Sequence, residues 1–267
     1  VDLSLAQGIM LNPMQQSEAS KVALFDVAQY GWKQWRSAEE AEKINDTAFN
    51  YVVNGSFEES EVSKAFRELG KHMRNQNRPP HVTKLEESVE LAPKLTDFYN
   101  KLKAGQNVDA ERKELKGIFA NLKADALLLK EKGDRKLIDQ IHYWLDNTVD
   151  QMDALEALLT ATEGLAEKND AKVWEQYYAG VKYYDQSISY SFFYVDHYER
   201  AEFGVQHIRP FINNLKEYLA THIQTMLHPD KLVTTFITNR AGIEGGLAEV
   251  TDGDLDTHAI VKTTTVI

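Results

Sequence analysis

The sequence has no cysteine, which excludes disulfides, thiolate metal sites and a thiol nucleophile. That absence suits a cytosolic protein as well as a secreted bacterial one. Basic residues are outnumbered, 30 against 41 acidic, for a formal charge of −11. A general nucleic-acid or anionic-membrane surface needs clustered Lys and Arg, so the balance argues against both. No apolar run approaches the roughly 20 residues that span a bilayer, and the N-terminus lacks the basic-then-apolar pattern of a signal peptide. A nucleophile elbow, a phosphate-binding glycine loop and a dinucleotide fingerprint are all missing. Internal repeats and low-complexity tracts are missing as well.

What is present is enough apolar sequence, 43% of 267 residues, to bury a substantial core in one large domain or two ordinary ones. The run from Leu3 to Leu11 has strand length and is mostly apolar on both faces, as a parallel strand covered by helices requires. After an Asn12-Pro13 turn, Ser17 and Glu18 open a helix whose apolar face is drawn from Ala19, Val22, Ala23, Phe25, Ala28 and Trp32. Strand, loop and helix together form the repeating element of a β/α architecture. Such a strand has no earlier partner in this sequence. With Val1 rather than Met in first place, the chain is expected to be cut from something longer.

Two further helices are expected over 37–53 and 56–75. The tandem Pro79-Pro80 then stops helix and sets a domain boundary. Four long amphipathic segments follow, at 84–104, 109–132, 134–168 and 170–203, separated by short breakers, so they should pack as an antiparallel bundle. In the third, Leu137, Ile141, Leu145, Met152, Leu155 and Leu159 form one stripe, with Val149 filling its gap. Another helix, IRPFINNLKEYLATHIQTML, tolerates Pro210 in its first turn. From Lys231 onward the text is β-branched and then glycine-rich, the opening of a β-region that the chain truncates.

Several groups could carry chemistry. The adjacent acids Glu39-Glu40, Glu58-Glu59 and Glu86-Glu87 lie near expected helix starts, where the helix dipole favours them. They read as solvated helix ends, and helical neighbours point some 100° apart, too divergent to serve as an acid and base on one bond. Asp139 and His142 share one helix face, but no second such pair exists to complete a dimetal site, so they read as a surface pair. The run DGDLDT, 252–257, has the first spacings of a calcium loop but places Thr257 and Thr263 where glycine and glutamate are needed. The tyrosine-rich segment 174–204 reads mainly as core packing, with a ligand or partner surface as the alternative.

The stretches LNPMQQSEASKVALFDVAQYGW and KLEESVELAPKL resemble the bacterial family 84 glycoside hydrolases, β-N-acetylglucosaminidases that include O-GlcNAcases and proteins labelled hyaluronidases. The resemblance continues through the bundle into RPFI. It implies a mainly α chain: the last β/α unit of a TIM barrel with its following helices (1–80), a helical bundle (81–235), and a β-rich segment (236–267) similar to the start of a discoidin-like carbohydrate-binding module. It also implies retaining hydrolysis of N-acetylglucosaminides in which the sugar's own acetamido group is the nucleophile. Asn12, at the end of the eighth barrel strand, is then the substrate-binding residue, hydrogen-bonding a hydroxyl of N-acetylglucosamine through an amide that both donates and accepts.

The family's two consecutive catalytic aspartates have no counterpart here, since no Asp-Asp dipeptide occurs. The pair is expected upstream, no catalytic residue is assigned in this chain, and the chain alone should be inactive. Neither metal nor cofactor is expected. The implied partners are an N-acetylglucosamine-containing glycan or glycoprotein, together with the barrel before and the β-module after, in a secreted or cell-surface bacterial protein. Nucleic acid and a membrane span are not expected. The rival is a non-enzymatic helical module that binds a protein or glycan through Tyr177, Tyr184, Tyr190 and Tyr198, which would need to form one exposed patch.

Overall fold

In the computed structural model, the described residues are 8, 10–73, 86–227, 243–244 and 260–261. They are mainly α-helical. Most of the expected strand Leu3–Leu11 lies outside these residues, as do Pro79-Pro80 and the DGDLDT run. The described part of that strand, Gly8, Met10 and Leu11, is irregular, with Met10 97% exposed.

Helix α1 spans Ser17–Trp32 and packs against α2, Ala38–Asn54. Ser37 caps α2 by accepting the Glu40 amide at 3.1 Å, and Gly55 ends it in the left-handed conformation that glycine adopts freely. Helix α3, Glu61–Gly70, is shorter than the expected 56–75. Its start is fixed by a reciprocal cap in which the Ser63 amide donates to Ser60 Oγ at 3.1 Å and the Ser60 amide to Ser63 Oγ at 2.9 Å.

The bundle consists of α4 (Ala92–Lys103), α5 (Asp109–Lys132), α6 (Arg135–Ala166), α7 (Asp170–Ser187) and α8 (Ile208–Leu227). Helix α4 starts later than residue 84, because Ser88 holds a positive φ of 55° that interrupts helix geometry. Asp134 and Asn169 cap α6 and α7 by accepting the amides of Lys136 and Lys172. All six residues of the α6 stripe are buried, and Val149 is partly buried against the same core. At the gap in that stripe α6 also buries Asn147, Thr148 and Gln151. Among the described elements, α6 and α7 make the most extensive contact. Their backbones approach closely at Gly180, where an added Cβ would stand 2.7 Å from Leu158 Cγ.

The expected helix 170–203 ends instead at Ser187, and residues 191–200 form an antiparallel hairpin of β1 (Ser191–Tyr194) and β2 (His197–Arg200). The run SYSFFYVDHYER is dense in aromatic residues, which favour the pleated surface of a strand. The hairpin turns through Val195 and Asp196, with Val195 at φ 55°. Beyond α8, β3 (Ile243–Glu244) pairs antiparallel with β4 (Ile260–Val261).

Helix α3 joins the N-terminal helices to the bundle through α5, and α1 contacts α6. His72, just past α3, sits at this junction. Its Nδ1 lies 2.7 Å from Ser88 Oγ, its carbonyl accepts the Gly204 amide at 3.0 Å, and its ring lies against Phe203.

Candidate functional site

Asn12 lies in the irregular stretch before α1 and is exposed. That stretch is tied to the bundle by side chains on the first turn of α1 and on α6. The Glu18 amide donates to Gln140 Oε1 at 2.8 Å, and Gln140 Nε2 donates to Ser17 Oγ at 3.2 Å. Within the stretch the Met14 amide donates to Ser20 Oγ at 3.1 Å. Three residues past Asn12, Gln15 Nε2 donates to the Phe193 carbonyl of the hairpin at 3.0 Å. The stretch that bears the assigned site residue is therefore tied, through Gln15, to an element expected to lie inside a helix.

The hairpin is held from beneath by one stretch of α6. Asn147 Nδ2 donates to the Ser187 carbonyl at 2.6 Å, Gln151 Nε2 donates to the Phe203 carbonyl at 3.0 Å, and the two amides bond each other at 2.6 Å. Between them, Tyr190 donates its hydroxyl to Asp150 Oδ2 at 2.8 Å. Burial and this carboxylate push the Tyr190 hydroxyl up to about 12, and burial raises the Asp150 carboxyl. Asn147 both donates and accepts here, as an amide can, while Gln151 makes its two bonds by donation. Asn147 and Gln151 carried no sequence signal, since both lie off the apolar stripe of α6.

Strand register sorts the hairpin side chains onto two faces. Phe192, Tyr194, His197 and Glu199 share the inner face, where Phe192 packs on Trp144 with ring centres 4.6 Å apart. Phe193 and Tyr198 pair across the outer face at 5.4 Å, edge to face, and are 54% and 72% exposed. His197 lies between two carboxylates, Nδ1 2.7 Å from Asp196 and Nε2 3.2 Å from Glu199. Hydrogen bonds to Asp196 and then Glu199 raise its pKa.

The other candidates separate cleanly. Glu87 does not solvate its own helix start: it is 1% exposed, and its Oε1 accepts the Gln206 amide just before α8. Burial raises its pKa, while the amides of Gln206 and His207 oppose the shift. The acid therefore serves a helix end, but one that is 119 residues away in sequence. Asp139 binds Arg135 Nε at 2.8 Å, and His142 Nδ1 faces the Asp139 carbonyl at 3.1 Å, so the pair does not converge on a common point. The four tyrosines do not make one patch, since Tyr184 is 5% exposed and Tyr198 72%. Trp32, expected on the buried face of α1, is 90% exposed. No helix among the described residues is long and apolar enough to cross a membrane.

Comparison with known proteins bears on the fold and the family. A family model described as beta-N-acetylglucosaminidase matches residues 2–71. Among solved structures, CpGH84D is similar with 27% identity and a TM-score of 0.72, over 80% of this chain and 35% of that one. CpGH84B is similar with 20% identity and a TM-score of 0.64, over 79% of this chain and 34% of that one. The chain thus spans about a third of the length of either structure. From the N-terminal match and the shared helical architecture together, the chain is a relative of the family 84 glycoside hydrolases.

Proposed function

We propose that this chain is the C-terminal part of a retaining exo-β-N-acetylglucosaminidase, with residues 1–80 closing the catalytic barrel, 81–235 forming a helical spacer and 236–267 opening a carbohydrate-binding module. The single observation that carries the reading is the match of residues 2–71 to the beta-N-acetylglucosaminidase model, in a chain whose Asn12 stands exposed just ahead of α1. A second feature supports it: α1 carries Ala23, Val27, Ala28 and Trp32 uncovered, the composition of a helix that packs against more than these residues supply.

In this reading Asn12 lies at the mouth of the pocket, where barrel enzymes place substrate. Its amide oxygen accepts from one sugar hydroxyl and its NH₂ group donates to the same or a neighbouring oxygen, which orients the ring. The acetamido oxygen of the substrate attacks the anomeric carbon while an acid protonates the leaving oxygen. Water then opens the cyclic intermediate with retention of configuration. The acid and the group that orients the acetamide belong to sequence before Val1. The parent is read as a secreted or cell-surface bacterial protein acting on N-acetylglucosamine-containing glycans or glycoproteins.

The test is turnover of a chromogenic N-acetylglucosaminide by this chain and by the same chain extended upstream through the barrel. Activity in the extended form alone, reduced about 100-fold in Asn12→Ala through loss of an orienting contact, is the expected result. An inactive extended chain overturns the reading.

A further inference from the structure

Helix α1 starts without a cap of its own. Gln16 stands at its N-cap position and makes no side-chain cap bond, whereas Ser37 and Ser60 cap α2 and α3 locally. The first amides of a helix have no partner within it and need one from elsewhere. For the Glu18 amide that partner is on α6, where Gln140 Oε1 accepts at 2.8 Å, 122 residues along the chain. In the same contact Gln140 Nε2 donates to Ser17 Oγ at 3.2 Å. One side-chain amide of the bundle thus grips two consecutive residues in the first turn of α1.

From that grip back to Asn12 every residue is held. The Ser17 amide donates to the Gln15 carbonyl at 2.9 Å, and Gln15 Nε2 donates to the Phe193 carbonyl at 3.0 Å. Ser20, 3% exposed, accepts the Met14 amide at 3.1 Å and donates to the Gln16 carbonyl at 2.9 Å. Pro13 fixes its own φ and pushes Asn12 before it towards extended backbone.

We infer that Gln140 is a positioning residue for the substrate contact at Asn12: through the cap it supplies to α1, the bundle sets where the Asn12 amide stands. The inference rests on the reading of Asn12 as a contact to the N-acetylglucosamine being cleaved, and it gives the bundle a part in turnover that a spacer lacks. Gln140 acts through Asn12 and not on the sugar. A side-chain amide suits the task because it accepts from a backbone amide while donating to a hydroxyl. Misplacing an orienting group by about 1 Å can cost about 100-fold in rate, even when the change is made far from the chemistry.

Two measurements test it. In the 267-residue chain, Gln140→Ala should speed NMR-detected exchange of the Glu18 amide about fivefold, as for the loss of one net hydrogen bond. Protection in the core of α6 should stay as it was, since Gln140 is only half-buried and lies off the buried stripe. In the upstream-extended chain, kcat/KM for a chromogenic N-acetylglucosaminide is compared in Asn12→Ala, Gln140→Ala and the double variant. Gln140→Ala alone should lose about tenfold. The double variant should be no slower than Asn12→Ala, because Gln140 has nothing left to position once that amide is gone.

Unaltered exchange at Glu18, unaltered kcat/KM in Gln140→Ala, or losses that multiply in the double variant would each overturn the inference. Multiplying losses would mean that Gln140 only holds the fold together. Failure of the Asn12 reading shows separately, as full activity in Asn12→Ala or none in the unsubstituted extended chain, and takes the inference with it.

Discussion

The bundle and the N-terminal helices are both helical, yet they are finished to different degrees. In the bundle, α6 alone buries fifteen residues, among them Leu155, Leu158 and Leu159 at 0% exposure. Helix α1 buries only Ser20, and its Val22 and Phe25 are half covered. Most helical stability in proteins comes from tertiary packing of an apolar face rather than from propensity. The bundle therefore carries its own stability, whereas α1 borrows what it has from α2 and from its contacts with α6.

The contrast can be broken most forcefully in the core. Leu158 is fully buried between α6 and α7, beside Gly180, so Leu158→Ala is expected to cost about 3 kcal/mol by lost transfer energy and a residual cavity. Val22→Ala in α1 should cost roughly 1 kcal/mol or less. Urea unfolding followed by far-UV circular dichroism measures both. Equal losses would show that the N-terminal helices share the bundle's core.

A change of pH probes the junction between the two regions. Burial lowers the pKa of His72 to about 4, well below its ordinary 6.5, because the imidazolium is poorly solvated there. The unfolded chain accepts a proton below pH 6.5, while the folded one resists until about 4. Stability from this group is therefore complete above pH 6.5 and falls as pH drops through that window, by about 3 kcal/mol in all. His72→Gln keeps a polar partner for Ser88 and should flatten the thermal-melt dependence between pH 6.5 and 4. An unchanged slope would mean that other groups carry it.

The smallest effect sharpens the comparison within the N-terminal region. Ser37→Ala removes the cap on α2, at about 1 kcal/mol. Because α2 lies outside the bundle core, the loss should appear as faster amide exchange in residues 38–42 with protection in α6 unaltered. A uniform loss of protection in both would show that they unfold as one unit.

Much of this architecture was legible because it was locally encoded. The boundaries of α5 and α6 follow from Gly133 and the Asp134 cap, and the buried stripe from Leu137 to Leu159 follows from helical spacing. Three features escaped because their cause is tertiary. Glu87 reads as a first-turn acid, but the amides it serves are those of residues 206 and 207. The tyrosine-rich run keeps a helical spacing of aromatics past Ser187, although the backbone leaves the helix there. Asn147 and Gln151 lie off the apolar stripe and read as solvated positions, yet they prove to be the hairpin's anchors. Asn12 was assigned through resemblance alone; the bond from Gln15, three residues on, to the Phe193 carbonyl required the fold.

The clamp also bears on how freely the hairpin can vary in length. Its two anchors hold the carbonyls of Ser187 and Phe203 against one turn of α6, so the entropic cost of closing the intervening loop is already met at its base. Closure entropy grows only logarithmically with loop length, about 0.6 kcal/mol per doubling. A few residues added at the Val195-Asp196 tip would cost a few tenths of a kcal/mol. Relatives of this chain could therefore lengthen or shorten the hairpin at almost no expense to the bundle, changing what the stretch before α1 meets through Gln15 while the rest of the fold stays constant.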